Sequence, residues 1–200
     1  MSEYIVNLLP LKEGEEEEFE AIAPGAVHVC AKSSTVTAEQ LASATIMFGW
    51  PRPERMREAV RLKWFQTMWA GTEEYDGMLP EGVLFTSSSG SNSRSVAEHM
   101  LTSLLAVCRR LPAYMDSQRA RLWQDEGPMK TILGGTVLVA GAGHVGSDFA
   151  RLCQGLGART IGLKRTVSGP VEGFDEVYPM DELDRLLPQA DGVSLVLPHS

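Results

Sequence analysis

An α/β architecture with parallel, doubly wound sheets is what this sequence predicts, and three observations carry that expectation. Short apolar runs of strand type alternate with short helical stretches through roughly the first hundred residues, the order that builds a parallel sheet with helices on its faces. A long apolar helical stripe follows from Asn92 to Arg110. Thr136-Val137-Leu138-Val139-Ala140 then runs into Gly141-Ala142-Gly143-His144-Val145-Gly146 and an amphipathic segment, which reads as strand, glycine turn and helix in succession.

Taken in order, Tyr4–Leu9 reads as a first strand, and the acidic run Glu13 to Glu20 as the wet face of a helix. Ala26–Cys30 is a second strand, and a short helix opens near Thr37 with Thr35 or Thr37 as cap. Thr45–Trp50 is a third strand, ending in Pro51-Arg52-Pro53. Residues 54–61 are expected to be helical with Met56 and Val60 inward, before strands at Leu62–Met68 and Val83–Thr86. On the long helix Val96, Met100, Leu104 and Cys108 form one stripe, widened by Leu101, Leu105 and Val107, so burial on several sides is expected. Ser95 and Glu98 have capping-box spacing, with Asn92 or Ser93 the favoured cap. A helix from about Pro112 to Gln124 leads through the turn Gly127-Pro128 to the glycine-motif strand. Beyond it, Val145, Phe149, Leu152, Cys153 and Leu156 fall at helical spacing, Gly157 stops the helix, and Arg159–Leu163 is the next strand. A strand at Glu176–Tyr178, a helix from Asp181 to Leu187 capped by Asp181, and a strand from Asp191 to Leu197 complete the pattern.

Gly141, Gly143 and Gly146 give the spacing G-x-G-x-x-G. The first glycine permits a tight turn, the second lets backbone approach a pyrophosphate, and the third lets helix and strand pack closely. The helix N-terminus behind them offers unpaired N–H groups to an anion. Glycine is common here, at 19 residues, so the flanking strand and helix carry the reading. A dinucleotide is the ligand implied. For NAD an acid is expected about 20 residues on, where it accepts from the ribose hydroxyls. Lys164-Arg165-Thr166 ends the second strand instead. Two cations and a hydroxyl suit a ribose 2′-phosphate, so NADP is favoured over NAD, with a solvated basic turn as the alternative.

Bulk composition narrows the classes. An apolar fraction of 44% and a charged fraction of 22% are those of a soluble globular protein. A formal net charge of −8 argues against nucleic acid as a partner. No window approaches the ~20 apolar residues of a membrane helix, and no secretory pattern opens the chain, so a cytoplasmic location is expected. Cys30, Cys108 and Cys153 are widely spaced among apolar neighbours and are expected to be reduced core thiols. No Cys/His spacing suggests a metal site.

Four stretches together resemble the D-2-hydroxyacid dehydrogenase family, especially its glyoxylate/hydroxypyruvate reductase-like members. They are Trp69-Ala70-Gly71-Thr72-Glu73, Asn92 to Leu101 with Val96-Ala97-Glu98-His99, the glycine turn, and Ser194-Leu195-Val196-Leu197-Pro198-His199-Ser200. The resemblance implies a flavodoxin-like, substrate-binding lobe at residues 1–100. It implies a partial Rossmann lobe for NAD(P) at 101–200, and a homodimer. It places the backbone of Ala70 and Gly71 at the substrate carboxylate, which agrees with the close approach that a small residue plus glycine allows, and Trp50 at the substrate entrance. His144 and Val145 would lie against the pyrophosphate, Lys164, Arg165 and Thr166 near the ribose, and Leu197 and Pro198 beneath a ribose or the nicotinamide. The activity implied is hydride transfer between NAD(P)H and a small 2-oxo acid.

That chemistry needs a cation to hold the carboxylate and carbonyl, and a proton donor beside the carbonyl oxygen. The family supplies an Arg, a Glu and a His on later segments, and no residue of these 200 matches them. His28, His99, His144 and His199 each have a structural explanation, so no catalytic residue is assigned. The polypeptide is accordingly expected to be inactive alone. The alternative on the same fold is a non-catalytic NAD(P)-sensing module or corepressor-like scaffold.

Overall fold

The computed structural model describes residues 2–197. They form two compact units that divide between Ser89 and Gly90. A division at residue 100 would cut a helix, Ser93–Cys108, that the second unit contains whole. Met100, Leu101, Leu104 and Leu105 of that helix pack on the second unit's own core.

The first unit contains β1 (Tyr4–Asn7), α1 (Glu15–Ile22), β2 (Val27–Cys30), α2 (Ala38–Ser43), β3 (Ile46–Gly49), β4 (Trp64–Thr67) and β5 (Leu84–Thr86), with 3₁₀ turns at Pro53–Glu58 and Glu73–Tyr75. All strands are parallel, in the order β2-β1-β3-β4-β5. This is the flavodoxin-like arrangement, whose switch point lies between β1 and β3. Register puts Val6 beside Met47 and Met47 beside Phe65, and these three fully buried side chains seed a core with Leu41, Met56 and Tyr75. The opposite face is covered more thinly. Phe19 of α1 meets Phe48 edge-on at 6.1 Å, and Phe48 meets Trp64 at 5.3 Å, while α1 itself buries no residue completely. Four glutamates in its first turn suit the positive end of the helix.

The second unit contains α3 (Ser93–Cys108), α4 (Leu111–Arg119), β6 (Thr136–Ala140), α5 (His144–Gly155), β7 (Arg159–Lys164), β8 (Glu176–Pro179), α6 (Leu183–Leu186) and β9 (Gly192–Leu195). Its parallel sheet runs β8-β7-β6-β9. Counted within the unit that is 3-2-1-4, the Rossmann order. Val137 to Ala140 are all buried, as an unbroken apolar strand covered on both faces must be. Val137 and Val139 face a cluster with Phe149 and Cys153. Leu138 and Ala140 face another with Ile161, Leu163 and Leu186. The α/β class with two parallel sheets therefore holds as the sequence predicts.

Local expectations fare unevenly. Thr37 caps α2 in a full capping box, accepting from the Gln40 amide at 3.2 Å while the Gln40 side chain accepts from the Thr37 amide at 2.8 Å. Gly157, just past the end of α5, takes φ +81° and donates to the Gln154 carbonyl, the left-handed stop that glycine permits. Residues 53–58 form a tighter 3₁₀ turn opened by Pro53, which leaves Val60 beyond it and 71% exposed instead of inward. The helix begun at Leu111 ends at Arg119, short of Gln124. Val96 and Val107 of α3 are exposed, so the widened stripe is not buried on every side. Asn92 occupies the cap position of α3 without a side-chain bond, and neither Ser95–Glu98 nor Asp181 caps a helix. Of the three cysteines only Cys153 is a core thiol, its pKa pushed up to about 11 by burial. Cys108 is half-buried and Cys30 is exposed at the end of an edge strand, so the expectation of three core thiols fails for Cys30. No helix of the described residues is long and apolar enough to cross a membrane.

Candidate functional site

The glycine turn sits at the carboxyl end of β6, where its neighbours β7 and β9 lie on opposite sides. This is the topological switch point, at which open parallel sheets leave a crevice. The three glycines do different work there. A Cβ on Gly141, whose φ is +115°, would lie 2.1 Å from the carbonyl oxygen of Val196 after β9. One on Gly146 would lie 2.1 Å from the carbonyl oxygen of Gly141. Both are glycine because the protein's own backbone leaves no room. A Cβ on Gly143 would meet nothing within 4 Å, so packing does not require glycine at that position. The space in front of it is open for a ligand's close approach.

Behind the turn, α5 begins at His144 with Gly143 as its cap residue and no side-chain cap bond. Ser147 N–H donating to Gly143 at 2.9 Å is the first bond of the helix, which leaves the amides of residues 144–146 without intrahelical acceptors. Partial positive charge therefore faces the crevice. Gly141 and Ala142 both donate to the Leu163 carbonyl, at 2.9 and 3.0 Å, and fix the turn against β7.

Lys164, Arg165 and Thr166 leave the end of β7 and, with Gly141, Gly143 and Leu197, line a cavity of about 610 Å³. Among the described residues, no carboxylate pairs with Lys164 or Arg165. Two unneutralised cations beside uncapped helix amides could hold an anion. A neighbouring cavity of about 450 Å³, lined by His144, Asp148, Arg151 and Lys164 among others, extends it along α5. There Ser93 Oγ donates to Asp148 Oδ2, and Arg151 Nη1 lies 2.5 Å from Asp148 Oδ1. The Ser93 hydroxyl first, and then the Arg151 guanidinium, hold the Asp148 carboxyl below the usual carboxylate range. Sequence reasoning missed this pair, since Ser93 and Asp148 are 55 positions apart. The open cradle at Gly143, the free amides and the paired cations fit a dinucleotide's phosphates and ribose. Val145 is half-buried on α5 behind the turn, and His144 lies against Gly90, with ring atoms 3.4 Å from where a Cβ on that residue would be. Pro198, also expected here, lies outside the described residues.

The three remaining candidates belong to the first unit. Trp50 follows β3 and faces Trp69, their rings 6.3 Å apart and inclined by 54°. Ala70 and Gly71 follow Trp69 on an exposed loop after β4. A Cβ on Gly71 would lie 2.6 Å from Glu73 Oε2, so a carboxylate of the chain itself leans over this loop. Among the histidines, His28 shares a hydrogen bond of 3.1 Å between Nε2 and the Ala23 carbonyl, and His99 lies exposed along α3. His199 is outside the described residues.

Residues 101–200 match the family model described as D-isomer specific 2-hydroxyacid dehydrogenase, NAD binding domain. A relative from Streptomyces coelicolor, described as an uncharacterized protein in mprR 3'region, is 30% identical over 132 residues, 66% of this chain and 47% of that protein. D-3-phosphoglycerate dehydrogenase of Mycobacterium bovis is 34% identical over 128 residues, which cover 64% of this chain and 24% of that enzyme. The chain thus spans half or less of the length of these relatives. Among solved structures, a D-isomer specific 2-hydroxyacid dehydrogenase family protein from Aeromonas salmonicida superposes with a TM-score of 0.82 at 28% identity, covering 100% of this chain and 65% of that one.

Proposed function

Since this chain belongs to the D-isomer specific 2-hydroxyacid dehydrogenase family, we propose that it serves an NAD(P)-dependent oxidoreductase that exchanges hydride between the nicotinamide and a small 2-oxo acid of the glyoxylate or hydroxypyruvate kind. The observation that carries this reading is the opening at Gly143, the one motif glycine that packing does not demand, set before uncapped amides. Gly141, Gly143, His144, Val145 and Gly146 would hold the pyrophosphate through backbone. Lys164, Arg165 and Thr166 would hold the adenosine ribose, and Leu197 would cover it.

Unpaired Lys164 and Arg165, in place of an acid, favour a ribose 2′-phosphate and hence NADP over NAD. The nicotinamide, when bound, supplies or accepts the hydride. Ala70 and Gly71 would offer amides to the substrate carboxylate, with Glu73 swinging aside, and Trp50 would border the entrance. Proton transfer and orientation of the carbonyl need an acid and a cation. His28 and His99 are placed by their own elements and are not assigned that work, so these 200 residues would bind cofactor without turning over substrate. The exposed apolar Val96 and Val107 of α3 support pairing as a homodimer, here taken to be cytoplasmic.

Titration calorimetry with NADPH and NADH tests the reading. NADPH is expected to bind about tenfold or more tightly than NADH. Arg165→Ala is expected to lower NADPH affinity by roughly 10- to 100-fold, the value of a charge-assisted hydrogen bond, with little effect on NADH. No heat with either nucleotide overturns the dehydrogenase reading, and tighter NADH binding overturns the NADP preference. Appreciable reduction of glyoxylate by the 200-residue polypeptide overturns the expected inactivity.

A further inference from the structure

We propose that Arg151 is a further specificity-determining residue for the cofactor, receiving the ribose 2′-phosphate of NADP opposite Lys164, and that Glu172 is a resident anion which this phosphate displaces. The inference rests on the reading that adenosine lies beside Lys164, Arg165 and Thr166. It extends that site to a helix side chain and a loop that lie outside the glycine motif.

Two cavities meet at this edge of the sheet. The larger, about 610 Å³, and its neighbour, about 450 Å³, share Ala142, Gly143 and Lys164. A nucleotide with its pyrophosphate at Gly143 and its adenosine ribose at Lys164 would occupy the larger one. Its 2′-oxygen, the ribose position that distinguishes NADP from NAD, would then stand beside the lysine that borders both. The neighbour offers the room for a phosphate there, and Arg151 is the second cation on its walls. Arg151 is held in place by its own helix. Its Nη1 donates to Asp148 Oδ1 at 2.5 Å, and Asp148 Oδ2 accepts from Ser93. One of five guanidinium N–H groups is thereby engaged, and the others form a fork that matches phosphate oxygens.

Glu172 is brought to Arg151 by the backbone. Gly173 takes φ +90°, and a Cβ there would lie 2.5 Å from the Ser147 carbonyl oxygen and 2.9 Å from Arg151 Cγ. Glycine at that position lets the loop close directly onto α5. Asp175 pins the far side of the loop, accepting from the Thr160 amide at 2.7 Å and the Thr160 hydroxyl at 3.0 Å. Glu172 Oε1 then lies 3.5 Å from Arg151 Nε, with the glutamate side chain 86% exposed. An ion pair so long and so open to solvent contributes little to stability. A phosphate accepts from the same fork with more charge and more oxygens, and it gains Lys164 as well. Glu172 therefore weakens the hold on any anion at Arg151 and yields to one that both cations grip.

Calorimetry with 2′,5′-ADP and 5′-AMP, which differ by the 2′-phosphate alone, decides the matter. The unaltered chain is expected to prefer 2′,5′-ADP. Arg151→Met, which keeps an apolar stem against Gly173, is expected to weaken 2′,5′-ADP about tenfold or more and 5′-AMP less than about twofold. Glu172→Gln is expected to strengthen 2′,5′-ADP about two- to fivefold, with no gain for 5′-AMP. Equal losses for both nucleotides in Arg151→Met would mean that the arginine only steadies α5, and they overturn the proposal. A 2′,5′-ADP preference undiminished by Arg151→Met, or no gain from Glu172→Gln, overturns it too. Failure of the underlying reading looks different, because there the unaltered chain itself binds neither nucleotide or shows no preference for 2′,5′-ADP.

Discussion

The two units carry the same kind of sheet and finish its carboxyl edge with opposite materials. In the first, bulky rings line the edge, Trp50, Trp69 and Tyr75, so the shape of the cavity there belongs to side chains. In the second, the edge is glycine and backbone amide with one lysine and one arginine charge beside it, so the main chain sets its shape. Even their glycines differ in purpose. Gly49 lets a strand end turn so that an aromatic ring can be placed, whereas Gly143 leaves space in front of bare amides. A parallel sheet thus specifies where a ligand sits, while the residues just past its strands specify which chemistry is received.

The sharpest break in this comparison comes from Gly141→Ala or Gly146→Ala. Each new methyl would meet a backbone carbonyl oxygen at 2.1 Å, and backbone cannot yield as a flexible side chain can. Overpacking of this kind costs about 1–3 kcal/mol, and the positive φ of Gly141 adds about 1 kcal/mol or more for a residue with a Cβ. Thermal melts are expected to show the second unit destabilised and NADPH binding lost, with the first unit's own unfolding transition retained. An unchanged melting profile would mean that the close contacts do not exist.

Gly143→Ala probes the same motif with a smaller effect and a different signature. Its methyl group enters open space, so the melting temperature is expected to stay within about a degree, since about 1 kcal/mol is needed to move it by several degrees in a unit of this size. NADPH affinity is expected to fall about tenfold by calorimetry, because the methyl stands where the pyrophosphate is proposed to approach. Lost stability with retained affinity would reverse the roles given to the three glycines.

The smallest effect concerns acid. Asp148 ties the second turn of α5 to Ser93 at the start of α3, and its pKa is lowered, chiefly by that hydroxyl and then by Arg151. A lowered folded-state value means that the ionised carboxylate stabilises the unit above its unfolded pKa of about 3.9. That contribution fades as the pH falls through the lower folded value. Asp148→Asn is therefore expected to reduce stability slightly at neutral pH and to flatten the acid limb of a urea-midpoint profile below about pH 4. An acid limb identical in both proteins would remove Asp148 from that role. The first unit offers no counterpart at its aromatic edge, where the shifted group is Tyr75, pushed up to about 12 by burial.

Legibility of the sequence follows the range of the interactions involved. The strand, glycine turn and helix from Thr136 to Gly155 were readable because apolar run, glycine spacing and helical period act within a few residues of one another. The Thr37–Gln40 capping box was readable for the same reason. The cavity of the first unit was only half legible. Trp50 stood out, but Tyr75, which shares its walls, gave no local signal. Val60 and Cys30 were misjudged because hydrophobicity says that a residue favours burial, not that a neighbour is present to bury it.

What the sequence by itself determined is the α/β class, the succession of the main strands along the chain and the glycine turn between strand and helix, since periodicity and glycine spacing are properties of neighbouring residues. Tertiary structure alone decided the strand orders 2-1-3-4-5 and 3-2-1-4, the split between Ser89 and Gly90, and which glycines serve packing. Those depend on what lies across the sheet, as Val196 lies across from Gly141, and chain distance carries no record of such encounters.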